Sequence, residues 1–374
     1  MTLRRPLGWG EPAPWFSARA PINPQFAFSS LGGRFVALVF FGRSDLAPAR
    51  AVLKALAGAG LPDDDGQLVL FGVSTDEGDL DNPAVRAAFR HNRVFHDPDG
   101  AVAAGFGLRR DGEPPGVNLR WYVLDPMLRV YASGGLDQPQ ALVATLAALP
   151  PAARHAAVPA EPWAPVLMLP RVLEPDVCRA LIEAYRRGEP RESGFMRTEG
   201  GRTVGRLDPG FKRRADVAIE DEGLRSAIRD AVRLRIAPEI RKAFQFEVTR
   251  IERYIVACYD GASHGFFKPH RDNTTAATAH RRFAVTINLN AEDYEGGDLR
   301  FPEFGMRTYR APTGGAVVFS CSLLHEATPV TRGLRYATLP FLYDEAGARI
   351  REQNIALLED GTATYRATVA PSEA

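Results

Sequence analysis

The chain has 374 residues, 45% of them hydrophobic and 24% charged, and its 46 basic and 45 acidic side chains leave a net charge of +1. Such values exclude wholesale disorder and fibrous repeats, and the balanced charge offers no general attraction to nucleic acid or to an anionic membrane. At about 150 residues per domain the length predicts two domains.

The start, Met1 to Gly8, holds two arginines but no apolar run long enough for a signal peptide, and no later stretch approaches the ~18 apolar residues of a membrane span. A cytoplasmic protein is therefore expected, with no membrane partner. The three cysteines, Cys178, Cys258 and Cys321, are too few and odd in number for a secreted disulfide framework.

In the first part, β-like runs at Arg34–Phe41 and Leu68–Ser74 alternate with helical stretches at Ala47–Leu56 and Asn82–His91, which predicts an α/β domain. Its details resemble the peroxiredoxin branch of thioredoxin-like folds. The matching segments are Gly10-Glu11-Pro12-Ala13-Pro14-Trp15-Phe16, Gly72-Val73-Ser74-Thr75-Asp76, Asp97-Pro98-Asp99-Gly100 and Trp121-Tyr122-Val123-Leu124-Asp125. Those enzymes place a reactive cysteine at the start of the helix after the first long strand. This chain has none before Cys178, and Ser44 or Asp45 cannot replace a low-pKa thiolate. A redox-inert domain is expected over 1–149, with a structural or partner-recognition role.

Residues 150–165 are too proline-rich for element interiors and read as a linker. Val166 to Ile182 then reads as a strand feeding a helix with Pro175 and Asp176 in its first turn. The segment 193–206 is glycine-rich and basic without clear periodicity, either a lid or an ordinary mobile loop. Lys212-Arg213-Arg214 reads as a solvated charge cluster in preference to a substrate clamp. A helix is expected over Glu222–Phe244, with Leu224, Ile228, Val232 and Leu234 as its core stripe. From Val248 onward, short strands recur with Gly-rich turns at Gly261, Gly296-Gly297 and Gly314-Gly315. They predict a double-stranded β-helix, or jelly roll, over 166–374.

Within that region His270-Arg271-Asp272 is followed by His325 and Arg335. Two imidazoles and one carboxylate occupy one face of an octahedron and leave the other open, the ligand set of non-haem Fe(II) oxygenases. Strand residues two apart point to one side, so His270 and Asp272 can grip one ion while Arg271 faces away. His325 is expected from a distant strand, delivered at the far end of the apolar run Gly314–Ser320. A turn after Arg332 leads into another strand, antiparallel to the one before it, and this hairpin would bring Arg335 toward the metal. A guanidinium that stays charged in an apolar barrel needs an anionic partner such as a dicarboxylate. Cys321 would make a softer site as a thiolate and reads as a buried structural residue. Neither His264 nor His280 is expected as a ligand, because a closed site leaves no room for oxygen. His91, His96 and His155 lie outside the barrel.

At these residues the chain resembles the 2-oxoglutarate and Fe(II)-dependent oxygenases, in particular their prolyl-4-hydroxylase-like branch. The match rests on His270, Asp272, His325 and Arg335, together with Tyr259-Asp260-Gly261, Tyr294-Glu295-Gly296-Gly297-Asp298-Leu299 and His325-Glu326-Ala327-Thr328-Pro329-Val330, and covers roughly 165–345. The resemblance implies Fe(II) on the triad, 2-oxoglutarate with its far carboxylate on Arg335 and against Tyr259, and O2 as the third reactant, with ascorbate admitted as an accessory reductant. A reducing compartment would keep such iron ferrous. Hydroxylation of a prolyl or other amino-acid residue in a protein or peptide would follow, with succinate and CO2 as co-products. Thr286 or Asn288 would line the pocket or serve in hydrogen bonding alone, and Asn273 reads as a turn residue. Free amino acids and small metabolites stay open as substrates. A non-catalytic metal or 2-oxoglutarate sensor docking a partner stays open as the alternative function.

Overall fold

The computed structural model describes residues 5–21, 23–61, 66–109, 118–152 and 162–354. The chain divides into two compact units, one built from residues up to Trp163 together with Pro302–Met306, the other from Ala164–Phe301 and from Arg307 onward. Of the proline-rich stretch, 153–161 lies outside the described residues, and His155 with it. No helix among the described residues is long and apolar enough to cross a membrane.

The first unit contains strands β1 (Ser17–Ala20), β2 (Asn23–Ala27), β3 (Phe35–Gly42), β4 (Leu68–Ser74), β5 (Val94–His96), β6 (Arg120–Leu124) and β7 (Val130–Gly135). Its helices are α1 (Ala47–Gly58), α2 (Pro83–Ala88), α3 (Ala101–Gly105) and α4 (Pro139–Ala147). The sheet order is β2-β1-β5-β4-β3-β6-β7, with β3, β4 and β5 parallel. Every residue of the central β3, Phe-Val-Ala-Leu-Val-Phe-Phe-Gly, is buried. That follows from a strand covered on both faces, which needs an unbroken apolar run instead of an alternating one. The expected α/β alternation is thus present, with α2 ending at Ala88 and a short 3-10 turn at Arg90–Asn92 completing the stretch to His91.

The second unit opens with β8 (Leu167–Leu169) and α5 (Pro175–Arg187). Proline at the first helical position costs no hydrogen bond there, and Cys178, Leu181 and Tyr185, spaced three and four apart, turn one face into the core. Next come β9 (Arg191–Glu192), β10 (Phe195–Glu199), β11 (Arg202–Arg206), β12 (Lys212–Arg213) and β13 (Ala215–Ala218). The stretch that carried no periodicity in the sequence is the antiparallel hairpin β10–β11, paired from Phe195↔Arg206 to Glu199↔Arg202. Its two-residue turn, Gly200-Gly201, has φ of 56° and 78°, a left-handed pair of the type-I′ kind that matches strand twist and that glycine adopts without strain.

The expected single helix over 222–244 is instead α6 (Glu222–Ala231), a π segment Val232–Ile236 and α7 (Ala237–Phe244). Pro238 has no N–H to donate to the preceding turn, which accounts for the wider turn just before it. The shifted register buries Ile236 and leaves Leu234 57% exposed, so Leu234 is not part of the core stripe.

The remaining strands are β14 (Arg250–Glu252), β15 (Ile255–Asp260), β16 (Phe266–His270), β17 (Phe283–Asn288), β18 (Glu295–Gly296), β19 (Leu299–Arg300), β20 (Thr308–Tyr309), β21 (Ala316–Ser320), β22 (His325–Ala327), β23 (Val330–Arg332), β24 (Leu334–Thr338) and β25 (Phe341–Tyr343), closed by α8 (Glu345–Asn354). They make a nine-stranded sheet along β14-β25-β17-β24-β15-β13-β9, with β21 and β8 added beside β17, and a five-stranded sheet β12-β16-β22-β19-β20. Two mainly antiparallel sheets of this kind form the jelly roll expected of this region. Helices α5 and α6 pack their apolar faces with β15, β17 and β21 in the main core.

Candidate metal centre and co-substrate pocket

His270 ends β16 and His325 opens the neighbouring antiparallel strand β22, where the two are direct register partners. The strand is distant in the chain, as expected, but His325 is not delivered at the far end of the apolar run Gly314–Ser320. The run before His325, β21, ends at Ser320 in the other sheet, and residues 321–324 cross over to β22. Asp272 lies just past the end of β16, pinned by its N–H to the Cys321 carbonyl at 3.0 Å. Arg271 turns its guanidinium to the Ser322 carbonyl. One ligand atom from each of His270, Asp272 and His325 falls within 4.8 Å of the others. His270 Nε2 is 3.6 Å and His325 Nε2 is 3.3 Å from the Asp272 carboxylate.

Both imidazoles are fixed from behind. His270 Nδ1 lies 2.8 Å from the Lys268 carbonyl and His325 Nδ1 lies 3.0 Å from the Leu323 carbonyl. A carbonyl can only accept, so each Nδ1 carries the proton and each Nε2 presents a lone pair toward Asp272, as a metal-binding tautomer requires. Phe267 stacks on His270 at 3.5 Å and Phe319 packs edge-on against His325 at 4.6 Å. Burial, followed by the neighbouring His270, pushes the His325 imidazole down to about 4, so it is neutral at physiological pH. Burial opposes ionisation of Asp272, but its polar surroundings, with Arg281 among them, outweigh it and hold the carboxyl well below the ordinary range.

Arg335 lies on β24, yet not through the expected hairpin with the strand before it. β23 pairs with β18, whereas β24 pairs with β15 and β17, setting Arg335 directly opposite Tyr259. The guanidinium is 2% exposed, sits 4.9 Å from the Tyr259 ring centre, and has its Nε and Nη1 without a hydrogen-bond partner among the described residues. Gly297 makes room for it: φ is 69° and an added Cβ would stand 3.1 Å from Arg335 Cδ and 2.7 Å from Val330 Cγ2. A buried cation with unmet donors is costly unless an anion arrives to satisfy it.

Tyr259, His270, Asp272, Thr286, His325 and Arg335 line one cavity of about 60 Å³. Three hard N/O ligands on one side and an unsatisfied guanidinium on the other fit a divalent ion and a co-substrate that chelates it and ends in a second carboxylate.

Two lining residues, Lys212 and Arg214, are 4% and 7% exposed, which overturns their reading as a solvated charge cluster. Both belong to the β12–β13 segment two residues apart, so the strand period that pairs His270 with Asp272 was the signal available. Arg214 holds Asp216 with a two-pronged contact at 2.7 and 2.6 Å and reaches the Tyr259 hydroxyl at 3.5 Å. Asn288 does not line the cavity; its amide donates to the Ala311 carbonyl at 2.7 Å. Asn273 donates to Ser322 Oγ at 2.8 Å. His280 binds Glu252 at 2.5 Å and His264 is exposed, so neither joins the triad. Cys321 is fully buried, as are Cys178 and Cys258 nearly so.

Residues 254–343 match the 2OG-Fe(II) oxygenase superfamily, so the second unit carries a domain of that family, whose members use Fe(II) and 2-oxoglutarate. A PKHD-type hydroxylase of Synechococcus sp. (strain JA-2-3B'a(2-13)) is 33% identical over 99 residues, 25% of this chain and 43% of that protein. The PKHD-type hydroxylase PiuC of Pseudomonas aeruginosa is 32% identical over 119 residues, 30% of this chain and 51% of that protein. The chain spans about half or less of the length of the curated relatives it matches. Among solved structures, a prolyl hydroxylase of Trichoplax adhaerens in complex with a hypoxia inducible factor peptide is 18% identical, with a TM-score of 0.41 over 50% of this chain and 86% of that one. A putative protein disulfide isomerase of Bacteroides thetaiotaomicron is 22% identical, with a TM-score of 0.29 over 39% of this chain and 92% of that one.

Proposed function

We propose that the protein is an Fe(II)- and 2-oxoglutarate-dependent dioxygenase that hydroxylates a C–H bond of an amino-acid residue or amino acid, a prolyl residue among them. The single observation that carries this reading is the buried Arg335 guanidinium, with two unmet donors in the same cavity as His270, Asp272 and His325. An ordinary structural metal site needs no such anion receptor, and a cupin-like enzyme without 2-oxoglutarate would not need it either.

In this reading His270, Asp272 and His325 would hold Fe(II), and Arg335 would take the far carboxylate of 2-oxoglutarate beside Tyr259. Iron bound there would supply oxidation of a C–H bond by O2, with 2-oxoglutarate decarboxylated to succinate and CO2, one oxygen atom entering the succinate and the other the substrate. The chain's own contribution is positioning. Backbone carbonyls lock both imidazole tautomers, Arg335 fixes the length and direction of the co-substrate, and the rings of Phe267 and Phe319 exclude water around the ligands.

We further assign residues 1–149 to a thioredoxin-like, redox-inert domain that recognises a partner, 150–165 to a linker and 166–374 to the oxygenase. The parallel β3-β4-β5 core with antiparallel β6 and β7, and the lack of cysteine before Cys178, support the first assignment. The test is succinate formation by anaerobically purified protein loaded with Fe(II) and 2-oxoglutarate, after oxygen is admitted. Wild type should form succinate, and the His270→Ala and Arg335→Ala variants should not; equal rates in all three would refute the reading.

A further inference from the structure

Another buried basic side chain lines the same cavity, Lys212, and it has no ion-pair partner among the described residues. The Lys212 ammonium donates to Ser193 Oγ at 2.8 Å and to the Gly194 carbonyl at 2.6 Å, both at the root of the β10–β11 hairpin, and lies 4.6 Å from the centre of the Phe267 ring. An ammonium has three donors, so one N–H is left, and the partners it has are neutral. The acidic groups that act on Lys212 are Asp216, already gripped by Arg214, and Asp272, a triad member. Burial, followed by the neighbouring Arg214, lowers the Lys212 pKa, and an arriving carboxylate would favour the charged ammonium.

Lys212 is also close to the reacting centre. Phe267 lies 4.6 Å from the ammonium and 3.5 Å from the His270 ring, so the ammonium is no farther from that imidazole than the sum, about 8 Å. It is not a second hold on the co-substrate. Arg335 already offers the far carboxylate a buried cation with unmet donors, and Lys212 sits on β12 at the hairpin root, in a different sheet from β24.

We infer that Lys212 receives a carboxylate of the primary substrate, which is therefore an acid: a free amino acid or small organic acid, or a peptide presenting a terminal or side-chain carboxylate. The inference rests on the oxygenase reading. A C–H bond a few ångströms from that carboxylate would then lie beside the open half of the metal site, and only the acidic end of the substrate needs to enter.

The test uses full-length protein, kept anaerobic with Mn(II) and saturating 2-oxoglutarate, and follows its melting temperature. One pool holds the common L-amino acids, a second their amides, a third short peptides with free C-termini, and a fourth the same peptides amidated. At least one free acid should raise the melting temperature beyond the 2-oxoglutarate effect and speed succinate formation with Fe(II) and O2, while its amide does neither. Stabilisation by the first pool or by the third identifies the source. Lys212→Met should weaken the acid at least about tenfold, the loss of one charge-assisted hydrogen bond, and leave 2-oxoglutarate stabilisation intact. Equal effects of acid and amide, no stabilising acid in any pool, or loss of 2-oxoglutarate stabilisation in Lys212→Met would each overturn the inference. Should that variant fail to fold, the acid-against-amide comparison in wild type still decides. Failure of the underlying reading looks different, since wild type would then show neither 2-oxoglutarate stabilisation nor succinate.

Discussion

Replacing Arg335 with Met separates two quantities that usually move together. Arg335 is 2% exposed, and its Nε and Nη1 have no hydrogen-bond partner among the described residues. A buried unsatisfied donor costs about 1–3 kcal/mol, and Met fills the space of the arginine stem over Tyr259 at a small packing cost. Arg335→Met should therefore leave the protein without co-substrate as stable as wild type or more so, by up to ~2 kcal/mol. Binding of 2-oxoglutarate moves the other way. At least one charge-assisted hydrogen bond at about 1.5–3 kcal/mol is lost, a fall in affinity of at least ~10-fold. The assay is urea denaturation of the metal-loaded, oxygen-free protein with and without 2-oxoglutarate. At a hundred times its dissociation constant the ligand stabilises wild type by ~2.7 kcal/mol, and the same concentration should stabilise the variant by at most about half as much. A variant that is markedly less stable alone yet stabilised as much as wild type by 2-oxoglutarate would show that Arg335 is structural, and the reasoning would fail.

Three further outcomes are expected. Asp216→Ala strands the buried Arg214 guanidinium without its carboxylate, so denaturation should show a loss of ~3–5 kcal/mol. Gly297→Ala forces a left-handed residue at φ of 69° against Val330 and Arg335, costing ~1–2 kcal/mol from the backbone alone, and calorimetric titration should also show weaker 2-oxoglutarate binding. Burial opposes ionisation of Glu252, but Arg281 and His280 prevail and hold its pKa well below the ordinary value. Its folded pKa being the lower one, its stabilisation is present above the unfolded value of about 4.3 and drains away as pH falls below it. Denaturation midpoints measured from pH 6 down to acid should thus fall less steeply in Glu252→Gln than in wild type.

Much of the site was legible because its chemistry is carried by residue type and short spacing. The His270-x-Asp272 pair, His325 and Arg335 needed only the demands of a facial ligand set and of an anion receptor. The route by which they meet was not legible. β-sheet partners are chosen across the whole chain, and nothing local says that His325 lies beside His270 or that Arg335 faces Tyr259 instead of folding back on β23. The long apolar runs of β3 and β4 announced themselves by burial on both faces. The π segment at Val232–Ile236 did not, since one wide turn leaves the hydrophobic spacing nearly helical, and only Pro238 hinted at it. The hairpin β10–β11 hid because its polar, glycine-bearing strands lack alternation, although Gly200-Gly201 is a turn signal in its own right. Lys212 and Arg214 were misjudged because charge runs are usually solvated, and their burial depends on Asp216, Ser193 and Phe267 brought together by the fold.

The central claim, that His270, Asp272 and His325 together hold one ion, is met most directly by counting metal. After oxygen-free equilibration with Fe(II) and removal of the excess, wild type should retain one equivalent per chain, and Asp272→Ala and His325→Ala should retain essentially none while keeping their folded circular-dichroism spectra. A full equivalent in the folded variants would place the ion elsewhere and contradict the account.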